Sequence, residues 1–507
     1  MTQVLPHTRQ NALLRSAMAA DSTVMPLSQI DGWLAEQSAR LALSKRRIAF
    51  AELDQWVFRP DPLRLGHSSG NFFEIEGMRV ETDFDQTRSW DQPIIRQPEV
   101  GILGAVARSF NGVLHLLLQA KIEPGNINGI QLSPTEQATR SNYRKVHGGN
   151  LPPFHKYFTE AGHGHVLVDR LLSEHGDRFL RKRNRNVIVE VGDDVEAPDG
   201  FCWLTIGQIH RLMQRDNLIN MTTRSVISCI LPPPGEAASY RALDRASGFG
   251  IPLADSLRGE RSLHATDGLL CWLSDLRARH HIRTYRRGID ALDGWQFQDD
   301  EIRWTGAAPG HAEAAGRGAR PPGPADDPGF SVIAVSVEAH GREVRRWTQP
   351  LVHHPGIGVN GFLTRRIEGV LHFLVRAWLP PGGDTSLELG SSVSCASQAA
   401  LAADVARHPE LAPLLNPAAA TIRHRSIQSE EGGRFDQYRS LYLIVESPEA
   451  TGPVQEPDGM RWMTLGQIAA FTHFGMVNIE ARNLLACLSF CADEPVSPRI
   501  SNNVEMA

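Results

Sequence analysis

No run of eighteen apolar residues occurs in the 507-residue chain, so no segment is expected to cross a bilayer as a helix. The opening stretch, MTQVLPHTRQNALLRSAMAA, lacks the apolar block of a secretory signal. Cysteine is scarce. The six residues Cys202, Cys229, Cys271, Cys395, Cys487 and Cys491 form no CxxC pair and no dense framework. Reduced thiols in a cytoplasmic setting are expected. His473 is badly spaced to join Cys487 and Cys491 in a metal site, so these read as buried thiols. A dominant charge is missing too: the formal net charge is -5, which leaves no whole-molecule footprint for nucleic acid. Neither nucleic acid nor a membrane is expected as a partner.

Several catalytic signatures are also absent. There is no GxSxG, no HExxH, no GxGxxG after a strand and no GxxxxGK[ST]. Hydride transfer at a resident nicotinamide site and P-loop phosphoryl transfer therefore lack support. GILG at Gly101 is a weak glycine pattern and reads as a tight turn. No cofactor and no metal is called for.

What the chain does contain is itself, twice. SWDQPIIRQPEVGILG, from Ser89, matches RWTQPLVHHPGIGVNG, from Arg346. Trp90 meets Trp347, Gln92 meets Gln349, and Gly112-Val113-Leu114-His115 meets Gly369-Val370-Leu371-His372, each pair 257 positions apart. EHGDRF, ending at Phe179, meets EEGGRF, ending at Phe435. FCWLTIGQIHRL meets MRWMTLGQIAAF, and Asn220, Arg224 and Cys229 meet Asn478, Arg482 and Cys487. Nearer the N-terminus LDQWVF meets LDGWQF at a spacing of only 239, so the second copy carries an insertion. It falls in TGAAPGHAEAAGRGARPPGPADD, whose composition cannot bury a core. Two domains follow, residues 1–245 and 246–507, joined in a Pro/Gly-rich stretch at 232–250.

Within one copy the reading is α+β. Residues 112–122 and 186–191 are short, apolar and β-branched, as buried strands are. Thr205-Ile-Gly-Gln208 is a capping box opening a helix to about Arg215. Residues 1–55 and 266–279 carry helical periodicity.

The copies differ most in LSPTEQATRSNYRKVHGG, residues 132–149. At the common offset Arg140 becomes Ser397, Asn142 becomes Ala399, Tyr143 becomes Ala400 and His147 becomes Asp404. Lys121 becomes Trp378, Glu123 becomes Pro380, and His67 faces the insertion. Losing Tyr, His, Arg and Lys together is what abandoning a site in one copy would do. Trp90, Gln92, Arg178 and Glu190 keep partners and read first as fold-holding residues. Glu190, in an apolar strand, is either an ion-pair partner or a tuned acid or base. Arg178, Arg181, Lys182, Arg183 and Arg185 form either a solvated face or a diphosphate clamp. A set of Tyr, His, Lys, Arg and Glu suits proton transfer beside a carbonyl. That chemistry needs a base, an acid for the leaving oxygen and a donor at the developing enolate.

SWDQPIIRQPEVGILG, LLQAKIEPGNINGIQLSPTEQATRSNYRKVHGGNLPPFHKYF and RFLRKRNRNVIVEV together resemble the NDP-hexose 2,3-dehydratases of deoxysugar biosynthesis. The likeness runs through most of the chain, duplication included. Glu136 departs from it, since Val is common there, and ELGSSVSCAS around Leu389 departs further. The resemblance implies two tandem Nudix-like modules, each a mixed sheet flanked by helices, in a homodimer. It implies an NDP-4-keto-6-deoxyhexose substrate, usually dTDP-linked, that loses its C2 hydroxyl as water. The enol product becomes a 3,4-diketo sugar, which a separate NADPH-dependent 3-ketoreductase reduces. On this reading His67 or Glu190 is the base and Tyr143 or His147 the acid. Lys121 or Arg140 steadies the C4 oxyanion. Arg178, Lys182 and Arg183 hold the diphosphate, while Trp90, Gln131, Arg140 and Asn142 line the pocket. The second module's pocket is expected to be vestigial. The alternatives are a Nudix-type nucleotide-sugar hydrolase, against which stands the lack of a glutamate-rich REUxEExGU box, and a non-catalytic nucleotide-sugar-binding protein.

Overall fold

A computed structural model describes residues 7–84, 88–139, 152–232, 240–306, 328–340, 344–383, 387–417, 420–449 and 454–491. Arg140, Asn142, Tyr143 and His147 lie outside them. The architecture is mixed α+β, and the repeat is visible strand by strand. In the first half, strands His165–Ser173, Arg183–Glu190, Gly101–Phe110, Val113–Ile122 and Phe201–Leu204 lie side by side. Ile130–Pro134 adds to Val113–Ile122, and Glu136–Ala138 adds to Gly101–Phe110. The second half repeats this with Thr421–Ser429, Arg439–Glu446, Gly358–Ile367 and Val370–Trp378. Register confirms the offset: Lys121 pairs with Gln131, and Trp378 pairs with Glu388. The capping boxes form in both halves, with Gln208 N to Thr205 Oγ1 at 3.1 Å and Gln467 N to Thr464 Oγ1 at 3.3 Å. Each satisfies helix donors that have no partner within the helix.

Each half also owns a smaller sheet, and here the halves exchange strands. Ala42–Ile48 pairs antiparallel with Ser331–His340 of the second half, from Ala42↔His340 to Ile48↔Ala334. Reciprocally, Ile282–Arg287 pairs with Glu74–Thr82 of the first half. Residues 42–48 were expected to be helical. The structure corrects this, because seven cross-strand pairs with a distant partner outweigh a weak local helical pattern. Residues 266–279 are helical as expected. GILG opens the strand Gly101–Phe110 and is not a turn; the Phe158 ring lies where a side chain on Gly104 would project. His67 ends the strand Arg64–His67, whose counterpart is Glu301–Trp304, so its equivalent is Trp304 and not the insertion.

One apolar core runs through both halves, from Leu13 and Leu116 to Phe373, Ile468 and Phe490. Arginines reach from each half into the other in matched pairs. Arg224 donates to its own Ile219 carbonyl at 2.6 Å and to the other half's Ser429 carbonyl at 2.7 Å. Arg482 donates to its own Val477 carbonyl at 3.1 Å and to the other half's Ser173 carbonyl at 2.5 Å. Arg178 stacks over Phe330 at 3.9 Å, and Arg434 over Phe73 at 4.3 Å. A guanidinium so placed gains a desolvated cation–π contact, worth about 2 kcal/mol or more. The loops between are close-fitting. A Cβ on Gly125 would overlap the Phe435 carbonyl oxygen, and one on Gly382 would overlap that of Phe179.

His175 is a further lock between the halves. Its Nε2 meets Glu430 at 2.9 Å and its Nδ1 meets Glu480 at 2.7 Å. Burial alone would lower its pKa, but the Glu430 charge and hydrogen bond, then those of Glu480, raise it well above 6.5. A raised native value gives stability that is complete below the unfolded value and lost as pH rises through the native one. Wild-type thermal midpoints are therefore expected to fall on the alkaline side of neutrality. His175→Gln should abolish that slope while lowering stability at pH 6. Parallel pH curves for the two proteins would rule out the imidazolium lock.

Candidate active site

The strand pair Val113–Ile122 and Ile130–Pro134 brings Lys121 and Gln131 opposite one another. Residues directly opposite on antiparallel strands share a face. The Lys121 ammonium lies 3.0 Å from Glu123 Oε1 and donates to Gln137 Oε1 at 2.8 Å. Gln137 Nε2 donates to Glu431 Oε1 at 2.9 Å, and Thr222 Oγ1 reaches Gln137 Oε1 at 3.4 Å. Gln131 Nε2 donates to Ser429 Oγ at 2.6 Å, while its Oε1 is buried with no hydrogen-bond partner among the described residues. Glu431 and Ser429 belong to the second half, so the site is built by both. An ammonium has three N–H donors. Glu123 and Gln137 take two, and among the described residues the third is unassigned. The strand Glu136–Ala138 that carries Gln137 leads directly into residues 140–151.

A second polar pair stands on the same strand. Glu136, 2 % exposed, accepts from His155 Nδ1 at 2.6 Å. Burial raises its pKa, and the His155 hydrogen bond and charge oppose that rise. His155 opens the helix His155–Thr159, so this dyad joins the two described flanks of residues 140–151.

The other expected site residues are dispersed. His67 is buried, edge-on to Trp56 at 5.5 Å and to Phe72 at 4.8 Å, with Nδ1 2.7 Å from Ser69 Oγ. Glu190 pairs with Ala107, which pairs with Leu116. Five residues separate Leu116 from Lys121, so Glu190 stands about 16 Å from Lys121 along the sheet. One sugar ring cannot touch both, so Glu190 as base and Lys121 as oxyanion donor exclude each other. Trp90 donates to Gln92 Oε1 at 2.8 Å, and Gln92 donates to the Asp177 carbonyl at 2.7 Å. Trp347 and Gln349 repeat this onto Gly433, so the pair braces the loop before Phe179 and Phe435.

The expected diphosphate clamp does not assemble. Arg178 is buried among the Asp177 carboxylate, Pro328 carbonyl and Tyr438 hydroxyl, where it joins the halves. Lys182 is buried with its ammonium on the Glu99 carbonyl, and burial pushes its pKa down to about 8. Arg183 pairs across strands with Ser173 and is partly exposed. His175, Asp177 and Glu480 bring ligand atoms within 4.8 Å of one another. Both His175 nitrogens face carboxylates and Arg178 pairs with Asp177, so the set works as a charge lock.

Sequence reasoning missed Gln137, Thr222 and Glu431. One signal was available: Glu431 occupies the position of His175 in the repeated EHGDRF/EEGGRF loop, a change of charge inside an otherwise kept motif.

Two segments, residues 27–230 and 323–488, match the family described as NDP-hexose 2,3-dehydratase, one in each half. A relative from Amycolatopsis orientalis is 41% identical over 506 residues, covering 98% of both chains. One from Saccharopolyspora spinosa is 40% identical over 479 residues, 93% of each. One from Streptomyces violaceoruber is 36% identical over 470 residues, 92% of this chain and 97% of its own. All three are named dTDP-4-dehydro-6-deoxy-alpha-D-glucopyranose 2,3-dehydratase.

The buried Glu136–His155 pair gives a stability test. Removing one partner strands a buried polar group at a cost of about 1–3 kcal/mol, whereas removing both is close to neutral. His155→Ala should therefore destabilise by that amount, and adding Glu136→Val should restore most of it. Denaturant unfolding measures both, and additive losses would rule the pairing out.

Proposed function

The chain belongs to the NDP-hexose 2,3-dehydratase family, and from that membership we propose how it removes water from its substrate. It is a hydro-lyase, a sugar-nucleotide 2,3-dehydratase of deoxysugar biosynthesis. The substrate is a dTDP-linked 4-keto-6-deoxyhexose. A base takes the C3 proton and the electron pair moves onto the C4 oxygen. When the C4 carbonyl re-forms, the C2–O bond breaks and the hydroxyl leaves as water, with a proton from an acid. The resulting C2–C3 enol tautomerises to a 3,4-diketo-2,6-dideoxy sugar.

Lys121 is the donor that steadies the C4 oxyanion. The observation that carries this role is its ammonium, held by Glu123 and Gln137, with no third acceptor assigned among the described residues. A preorganised donor of this kind is worth roughly 3–4 kcal/mol in the transition state. Of the two candidate bases, the distance of Glu190 from Lys121 argues against that carboxylate, which leaves His67, a residue of the smaller first-half sheet and not of the sheet that carries Lys121. Tyr143 or His147 is the acid. Gln131, Arg140, Asn142 and Trp90 are assigned to the pocket, and Arg183 is the member of the basic run we retain for the diphosphate.

We read residues 1–245 and 246–507 as Nudix-like modules of common descent, assembled as a homodimer. Trp378 in place of Lys121 supports a vestigial second pocket. The reactive diketone calls for an NADPH-dependent 3-ketoreductase acting directly afterwards. Among the described residues no helix is long and apolar enough to cross a membrane, which accords with a cytoplasmic enzyme.

Incubation with dTDP-4-keto-6-deoxyglucose, a 3-ketoreductase and NADPH should give a product lacking the C2 hydroxyl by mass spectrometry. Lys121→Met should lower kcat by about 10²–10³ with a smaller change in KM. A variant that keeps the wild-type rate removes Lys121 from the mechanism.

A further inference from the structure

We propose that Glu431, supplied by the second half, is a positioning residue for the dehydration. Acting through the Gln137 amide, it fixes where the Lys121 ammonium points. The inference rests on the reading of Lys121 as the oxyanion donor and extends it across the boundary between the halves.

The chemistry of the three groups leaves one arrangement. An ionised carboxylate only accepts hydrogen bonds and an ammonium only donates them. The Gln137 amide between them must present its NH₂ to Glu431, at 2.9 Å, and its oxygen to Lys121, at 2.8 Å. Glu431 therefore fixes the NH₂ side of the amide, as Lys121 and Thr222 Oγ1, at 3.4 Å, fix its oxygen side. Without Glu431 the NH₂ side has lost its acceptor, and the amide oxygen is held at one end only. The relay also polarises the amide, so its oxygen binds the cation more strongly than an isolated glutamine would.

The loop carrying Glu431 is anchored for such a task. Gly125 N donates to the Gly432 carbonyl at 2.8 Å, and Gln437 N donates to the Gly125 carbonyl at 3.1 Å. Arg224 holds the Ser429 carbonyl and Gln131 the Ser429 hydroxyl. Past Phe435, Asp436 is clamped between His353 Nδ1, at 2.8 Å, and Lys45 of the exchanged strand. First-half residues thus grip both ends of a second-half loop.

A second observation comes from the repeat. At matched positions Lys121 is replaced by Trp378, Gln137 by Ser394 and Glu431 by His175. Register supports the first two, since Lys121 pairs with Gln131 as Trp378 pairs with Glu388, and Leu103 pairs with Gln137 as Asn360 pairs with Ser394. All three links differ together, as expected of groups that act as one unit. The competing role for Glu431 is purely structural, as a counter-charge to Arg434 and Lys182, whose neighbourhood it shares.

Kinetics of the full-length enzyme separate these roles. Glu431→Met, which removes the acceptor, should lower kcat by about 10- to 100-fold, the range seen when the outer partner of a metal-ligating residue is lost. KM for dTDP-4-keto-6-deoxyglucose and the thermal midpoint should stay near wild type. Glu431→Gln, whose amide oxygen accepts the same hydrogen bond, should recover part of kcat. In a Lys121→Met background Glu431→Met should cost nothing further. Wild-type kcat in Glu431→Met, with Lys121→Met inactive, overturns the inference alone. Wild-type kcat in Lys121→Met overturns the oxyanion reading as well. Should Glu431→Met fail to fold, Gln137→Met breaks the same relay within the first half. Loss of kcat there supports the inference, and retention overturns it.

Discussion

A buried guanidinium costs free energy for every N–H group left unmet, since water is not there to meet it. In this protein each half supplies carbonyls to the other's arginines, while Arg224 Nε and Arg178 Nε keep no hydrogen-bond partner among the described residues. Arg224 reaches the second half's Ser429 carbonyl, and Arg482 reaches the first half's Ser173. Arg178 and Arg434 repeat the exchange on aromatic faces. Separating the halves would strip these cations of the partners they have, and the loops beside the interface are held to one geometry.

That geometry gives the repeat its use. Pseudo-symmetric packing brings one loop of each half against the strand ends of the other. One of these contacts carries Glu431, Gln137 and Lys121; its mirror image carries His175, Ser394 and Trp378. The same scaffold thus supports a polar relay on one side and a charge lock on the other. The His175 lock needs only burial and two carboxylates, whereas the relay needs three groups in fixed order.

Much of this was legible in the sequence. The repeat, its offset, the capping boxes and the strands read at 112–122 and 186–191, observed at 113–122 and 183–190, follow from glycine spacing, apolar runs and Thr-x-x-Gln pairs. The strand exchange was not legible. Residues 42–48 look locally helical, and their strand state comes from a partner in the other half. The roles of Trp90 and Arg178 depended on the same information: a motif match shows that a residue is kept, not what it touches. Lys121 stood out as a candidate because its counterpart is tryptophan. Glu431 was passed over because it sits in the copy read as support, and assigning it required knowing that the halves interlock.

The exchanged strand also bears on synthesis. Ala42–Ile48 leaves the ribosome early, yet its partner Ser331–His340 emerges roughly 300 residues later, so this contact is of very high order. At elongation rates of about 5–20 residues per second the strand waits some 15 to 60 seconds with an open edge. Its sequence, ALSKRRI, places three consecutive cations on that edge. Such charges discourage pairing with the wrong neighbour. The nascent chain is thereby kept from closing on a stranger before its own second half arrives.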